Sequence, residues 1–176
     1  IIDRREHGTY RTEGPRIMII MDVAEEETII EGFYMTNGVR AGYGGGIYIG
    51  NCSDKLIVRN NIINDNSATY YSGIGGNIYM LNSAAQIYNN DLHKGFAAIM
   101  ASNIYAYGTY SDGTKAKVHH NIFYSPSIYS VYFSMDVEVY DNTFLYNYAP
   151  KSEADVTLSV DESSYLNINN PENIST

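Results

Sequence analysis

The sequence predicts an all-β fold: a single-stranded right-handed parallel β-helix of about five to six coils, incomplete at both ends. Three observations predict it. A strand-like phrase recurs at Leu56-Ile-Val-Arg-Asn-Asn-Ile-Ile63, Ala85-Gln-Ile-Tyr-Asn-Asn-Asp-Leu92, Ala116-Lys-Val-His-His-Asn-Ile-Phe123 and Val137-Glu-Val-Tyr-Asp-Asn-Thr-Phe144. A diverged copy opens at Glu27-Thr-Ile-Ile-Glu-Gly-Phe-Tyr34, and a last fragment is Tyr165-Leu-Asn-Ile-Asn-Asn170. The shared anchor, Gly32, Asn61, Asn90, Asn121, Asn142 and Asn170, steps by 29, 29, 31, 21 and 28 residues, a solenoid period. No stretch holds a 3.6-residue apolar period, so almost no helix is expected.

The elements follow in chain order. Ile17-Met-Ile-Ile-Met21 and Thr28-Ile-Ile30 are β-like, and Glu25-Glu-Glu27 between them reads as a solvated turn. Each anchor is followed by a second strand: Gly45-Gly-Ile-Tyr-Ile49, Gly76-Asn-Ile-Tyr-Met80, Ala97-Ala-Ile-Met-Ala101, Ser130-Val-Tyr-Phe133 and Val156-Thr-Leu-Ser-Val160. A third corner is read at Gly50-Asn-Cys-Ser53, Leu81-Asn-Ser83 and Ser102-Asn103. Parallel stacking puts like residues in columns about 4.8 Å apart. Three interior columns are expected: Ile29, Val58, Ile87, Val118, Val139; Tyr34, Ile63, Leu92, Phe123, Phe144; and Ile47, Ile78, Ile99, Val131. The anchor asparagines are expected at a corner, bonding backbone or the Asn above. Gly-rich excursions at 37–44 and 66–75 occupy corresponding positions and are expected side by side. A longer insertion runs from Ile104 to Lys115.

The domain organisation is one unit, residues 1–176, with regular coils over about 28–147 and weaker terminal coils at 1–27 and 148–176. Ile1-Ile-Asp3 reads as mid-strand and Asn169-Asn-Pro171 as the start of another turn, as in a mature product or a piece of a longer chain.

Lys and Arg total 11 against 20 Asp and Glu, a net charge of -9. That argues against a nucleic-acid partner. It also argues against unassisted binding of a polyanionic sugar, for which a calcium ion would have to bridge. The single Cys52 excludes an internal disulfide and a cysteine-rich zinc site. The longest apolar run, at 17–21, is too short for a membrane span.

The Val-x-Asn-Asn-x-Ile and Gly-Gly-Ile-Tyr-Ile phrases, with the recurring corner Asn, resemble the right-handed parallel β-helix proteins of the pectate-lyase-like superfamily over about residues 28–147. The resemblance implies the fold. That superfamily spans polysaccharide lyases, glycoside hydrolases, epimerases, tailspikes and surface or adhesin modules, and no catalytic signature of any one of them is present.

Alternation turns pairs of residues outward along the first strand: Ile57/Arg59, Gln86/Tyr88, Lys117/His119 and Glu138/Tyr140. A β-eliminating lyase needs a base, for which Lys117, His119 or Tyr88 would serve, and a carboxylate clamp, for which the planar guanidinium of Arg59 is suited. Tyr88, Tyr140 and Glu138, with Tyr107 and Tyr110 of the insertion, would contact the sugar. The plainer account is that outward positions are polar for solubility. The outward Tyr48, Tyr79 and Tyr132 form a column with Met100 interposed, suited to sugar rings or to packing.

Other constellations are weaker. A hydrolase would need two carboxylates, and nothing pairs Glu138 with Asp141 or Asp112. His119 and His120 are expected on opposite sides of a strand. His120 sits in the pre-anchor column of Glu31, Asn60, Asn89 and Asp141, where a structural role is expected. Asp65, Asp91, Asp112 and Asp141 have calcium-type oxygens but no calcium-loop spacing. Asn51-Cys-Ser53 and Asn173-Ile-Ser175 fit N-glycosylation acceptors, and Gly44-Gly-Gly46 precedes a strand, so it is no phosphate loop. The functional expectation is an extracellular module that binds or processes a polysaccharide, lyase-like if catalytic. Its rival is a structural surface or adhesin segment whose open ends pair head to tail.

Overall fold

The computed structural model describes residues 2–3, 14–124, 130–145 and 151–152. Over them the chain winds as a parallel β-solenoid of about four turns with ragged ends, and none of it is helical. The twenty short strands among the described residues are numbered in chain order. Sheet I contains β3 (Thr28–Glu31), β7 (Leu56–Arg59), β11 (Gln86–Tyr88), β15 (Ala116–His119) and β18 (Val137–Tyr140). Sheet II contains β1 (Ile2–Asp3), β4 (Tyr34–Thr36), β8 (Ile62–Asn64), β12 (Asp91–His93), β16 (Ile122–Tyr124) and β19 (Thr143–Leu145). Sheet III contains β2 (Met18–Met21), β6 (Ile47–Gly50), β10 (Ile78–Leu81), β14 (Ile104–Tyr107), β17 (Val131–Ser134) and β20 (Lys151–Ser152). A flap sheet of β5 (Val39–Tyr43), β9 (Ser67–Ile74) and β13 (Phe96–Ala97) projects between sheets II and III. Every pairing is parallel.

Alternation sends every second side chain inward, and the solenoid axis is filled by stacked apolar residues. Met35, Ile63, Leu92, Phe123 and Phe144 form one buried column. Val58, Ile87, Val118 and Val139 form a second, and Ile47, Ile78, Ile104 and Val131 a third. Each fully buried aliphatic contributes about 1.5–3 kcal/mol.

The corner between sheets I and II is held by side-chain amides. Asn61 Nδ2 donates to its own turn at Arg59 O (2.8 Å) and to the preceding turn at Ile30 O (2.9 Å). Its Nδ2 and backbone N both reach Asn90 Oδ1 at 3.0 Å. Asn90 repeats the pattern on Asn121, and Asn121 on Asn142. All four are buried. The residue before each is left-handed: Asn60, Asn89, His120 and Asp141 lie at φ 55°, 54°, 53° and 51°, and Gly32 joins them at 75°.

Gly32 therefore belongs to the left-handed column and not to the anchors. Its N donates to Asn60 O, and Phe33 N takes the anchor's place by donating to Asn61 Oδ1 at 3.0 Å. The first-turn columns shift by one residue. Ile30 and not Ile29 pairs with Val58, and Met35 and not Tyr34 pairs with Ile63; Ile29 lies on the outer face.

Further expectations change. The two Gly-rich excursions do lie side by side, but as strands β5 and β9, since their backbones satisfy each other. In the third turn the second strand is Ile104–Tyr107, not 97–101. Ile99 is exposed, so the insertion proper is only about 108–115. Ser102-Asn103 precedes that strand and forms no third corner. Asn103 instead enters a second amide chain beneath the flap: Gly38 N to Asn66 Oδ1, Asn66 Nδ2 to Asn77 Oδ1, Asn77 Nδ2 to Asn103 Oδ1, Asn103 Nδ2 to Ser130 Oγ, at 2.7–2.9 Å. A Cβ at Gly46, the counterpart of Asn77, would lie 3.0 Å from Asn66 Nδ2, so the Asn66 amide fills the place of a side chain that Gly46 lacks. The turn count is lower than expected because the strand at 156–160, the anchor Asn170 and the acceptor Asn173 lie outside the described residues. Among the described residues no helix is long and apolar enough to cross a membrane.

Asn90→Ala leaves the Val58, Tyr88 and Asn61 amide partners unsatisfied in the interior. It is expected to cost about 3 kcal/mol, read as a lower urea midpoint at unchanged slope. Asn90→Asp, which has no donor for Val58 O and Tyr88 O, should not rescue it.

Candidate functional site

The outward face of sheet I carries two registered rows. One runs Glu31, Arg59, Tyr88, His119, Tyr140, and the other Ile29, Ile57, Gln86, Lys117, Glu138. Both exist because β3, β7, β11, β15 and β18 turn alternate residues to the core, leaving like positions about 4.8 Å apart on the outside.

In the first row Arg59 is held from two sides. Its Nε donates to Glu31 Oε2 at 2.6 Å and its Nη1 to the Tyr88 hydroxyl at 3.1 Å. The hydrogen bond from Arg59 holds the Glu31 carboxyl below the usual carboxylate range, and the same bond raises the Arg59 guanidinium. Beyond Tyr88 the row is aromatic. Tyr88 and His119 stack with centroids 4.8 Å apart, and His119 and Tyr140 with centroids 4.5 Å apart. Both faces of the imidazole are thereby covered, so a ligand meets edges, hydroxyls and ring nitrogens, not an open aromatic face.

His119 and His120 do not diverge. Because His120 is left-handed, its ring swings back, edge-on to His119, with the two Nδ1 atoms 2.8 Å apart. One Nδ1 must carry a proton and the other accept it, so the pair does not tolerate two charges. Burial lowers the His119 pKa, and His120 and Lys117 lower it further against an opposing pull from Asp141. His119 is thus neutral near pH 7, the form a proton acceptor needs. His120 Nε2 lies 3.6 Å from Asp141 Oδ2.

In the second row Lys117 Nζ lies 3.9 Å from Glu138 Oε2, with the side chains 43% and 46% exposed. A pair that open contributes about 0–1 kcal/mol and leaves Lys117 available. Burial, then Glu138 and Asp141, raise the Tyr140 hydroxyl.

Sheet I therefore brings together Arg59, Tyr88, Lys117, His119, Glu138 and Tyr140. Tyr107 and Tyr110 lie elsewhere. Tyr107 ends β14 on sheet III, and Tyr110 lines a polar cleft with Asp22, Asn51 and Asn82. The Asp112 side chain caps its own loop by accepting from Thr114 N at 2.7 Å.

A second aromatic row was only partly legible. Tyr48, Tyr79, Tyr105 and Tyr132 stack along sheet III at 5.1–5.5 Å, so Tyr105 and not Met100 fills the third place. The phrase Asn-Ile-Tyr at 77–79, repeated at 103–105, was the available signal. Tyr43 of the flap lies 4.8 Å from Tyr79, whose hydroxyl burial and neighbouring tyrosines push up to about 12. Among the described residues no three His, Cys, Asp or Glu side chains gather as a metal site. Asp65 and Asp141 sit at corners, Asp91 on sheet II and Asp112 in a loop.

Compared with protein-family models, curated proteins and solved structures, the chain shows no significant match.

The His119 ring should titrate below 6.5 by NMR, and His120→Ala should move it back toward that value. Because the folded pKa is depressed, the unfolded chain takes up this proton first. The group's stabilising contribution is then full above about 6.5 and lost as pH falls through the folded pKa. Urea midpoints measured in the His119→Gln variant should lose that slope.

Proposed function

We propose that this chain is an extracellular β-solenoid module that binds polysaccharide along the outer face of sheet I, with lyase-like chemistry centred on His119, Lys117 and Arg59. One observation carries the reading: an imidazole, an available ammonium and a guanidinium share one rigid face with hydroxyl-bearing tyrosines. In a β-elimination His119 takes the proton next to a uronate carboxylate, the adjacent glycosidic C–O bond breaks as the ring double bond forms, the departing oxygen takes a proton from water, and Lys117 and Arg59 offset the carboxylate charge. Tyr88, Tyr140 and Glu138 meet the sugar hydroxyls edge-on. Arg59 is shared with Glu31, so it offers a ligand only the guanidinium N–H groups that Glu31 leaves and does not close a free bidentate clamp. With net charge -9, a polyuronate would bind best with calcium bridging. The resemblance of the repeat phrases to the pectate-lyase-like superfamily supports the same class.

A structural reading is favoured by a different observation. β3 and β18 are the outer strands of sheet I among the described residues, and their free edges suit head-to-tail pairing. Light scattering of the purified chain separates the two: a monomer that binds glycan favours the first, and concentration-dependent fibres without glycan binding favour the second.

On a broad glycan array the chain should bind acidic polysaccharide. Lys117→Ala combined with His119→Ala should lower turnover of a cleaved uronate polymer by at least ~100-fold. Unchanged turnover in that variant, or an array with no bound glycan, rules the proposal out.

A further inference from the structure

Two arginines outside sheet I line one cleft, and among the described residues no carboxylate pairs with either. Val39 N donates to Pro15 O at 3.4 Å, which lays the start of β5 against the segment leading into β2. Arg16 and Arg40 thereby line one cleft of about 450 Å³ together with Pro15, Ile17, Met18 and Ile19. Arg16 is half-buried, and its guanidinium carbon sits 4.8 Å above the Tyr48 ring, which fixes its position by a cation–π contact. Burial lowers its pKa and the neighbouring Arg40 charge lowers it further, the mark of two cations sharing a site.

The contrast with the other paired cations is direct. Arg59 is bonded to Glu31, and Lys117 lies beside Glu138. Among the described residues no carboxylate forms an ion pair with Arg16 or Arg40. In a chain with 20 acidic residues against 11 basic ones, two arginines that line one cleft with no carboxylate partner among the described residues leave a place for an external anion. Guanidinium groups match the planar or tetrahedral oxygens of carboxylate and sulfate, and the exposed Pro15 and Ile19 side chains beside them suit a compact apolar body.

We propose that the Arg16–Arg40 cleft is a binding subsite for an oxyanion carried on a sugar ring, a carboxylate or sulfate ester. The identity of the carrier rests on the polysaccharide reading above, and the anion site itself rests on the two arginines. The charged head is held between the guanidinium groups and the ring lies over the apolar floor. The cleft lies beside sheet III and the flap, so it is a separate contact from the Lys117–His119 face.

The test is calorimetric titration of the full chain with three probes: a uronate trisaccharide, its neutral hexose counterpart and inorganic sulfate. Wild type should bind the uronate trisaccharide at least ~10-fold more tightly than either of the others. Arg40→Gln and, separately, Arg16→Lys, which keeps the charge but loses the fork, should each weaken it ~10-fold or more while the circular-dichroism melt is unchanged. Equal affinity for inorganic sulfate means an ion site with no sugar preference and overturns the proposal. So does failure of the trisaccharide to bind, or binding that both variants leave intact. In the Lys117→Ala, His119→Ala variant, run in parallel, the trisaccharide binding that remains is the cleft's share and should disappear when Arg40→Gln is added. No binding left in the Lys117→Ala, His119→Ala background overturns the cleft and keeps sheet I, whereas binding left there and lost with Arg40→Gln supports the cleft, and sheet I then stands or falls by its own turnover test.

Discussion

From Asn61 onward, each described turn of the solenoid depends on one buried amide. At the corner between sheets I and II the backbone leaves the strand direction, and the carbonyls of residues such as Arg59 and Ile30 lose their ladder partners. A side-chain amide carries two donors and an acceptor, so Asn61 meets two carbonyls and receives a backbone N–H from the turn below it. Leaving such groups bare in the interior would cost about 1–3 kcal/mol each. A left-handed residue just ahead makes the bend that aims the amide inward. Because each amide also bonds the next, the register of one turn is passed to its neighbour. Beneath the flap the Asn66, Asn77 and Asn103 chain does the same for the excursions.

That register decides what the surface can do. Residues in like positions are forced to about one strand spacing, close enough for aromatic rings to stack. On sheet I the stack consumes the faces of His119, and on sheet III it buries Tyr79 and Tyr132. Aromatic content is therefore a poor measure of sugar-stacking capacity here. What remains for a ligand is hydroxyl edges, ring nitrogens and charge. The flap is the exception, for Tyr70, Tyr71 and Phe96 stay substantially exposed.

Charge is distributed with equal effect. Like positions in successive turns pair Glu31 with Arg59 and Lys117 with Glu138, so sheet I is internally compensated and its field is modest. The left-handed bend at His120 adds a second imidazole beside the first, which keeps His119 neutral through burial and repulsion. Arg16 and Arg40 are brought together from segments 24 residues apart by the flap returning over β2, and among the described residues no carboxylate pairs with them.

The sequence by itself determined the architecture and the main row of the site. Alternation with period two, a corner Asn once per turn and the repeat spacing were enough to place Arg59, Tyr88, His119 and Tyr140 on one face, since a parallel ladder leaves no other way to align identical phrases. Tertiary structure decided the rest. Gly32 and Asn61 look equivalent in a repeat alignment, yet one supplies a left-handed bend and the other an amide. Only the closed turn tells them apart, and the one-residue difference exchanges Ile29 for Ile30 and Tyr34 for Met35. Which of 97–101 or 104–107 becomes the strand depends on which can reach both Ile78 and Val131 while the other fits beside the flap. The convergence of His119 with His120, and of Arg16 with Arg40, arises where the chain departs from its period. No periodicity can encode such approaches, because they are set by the bends and excursions that break it.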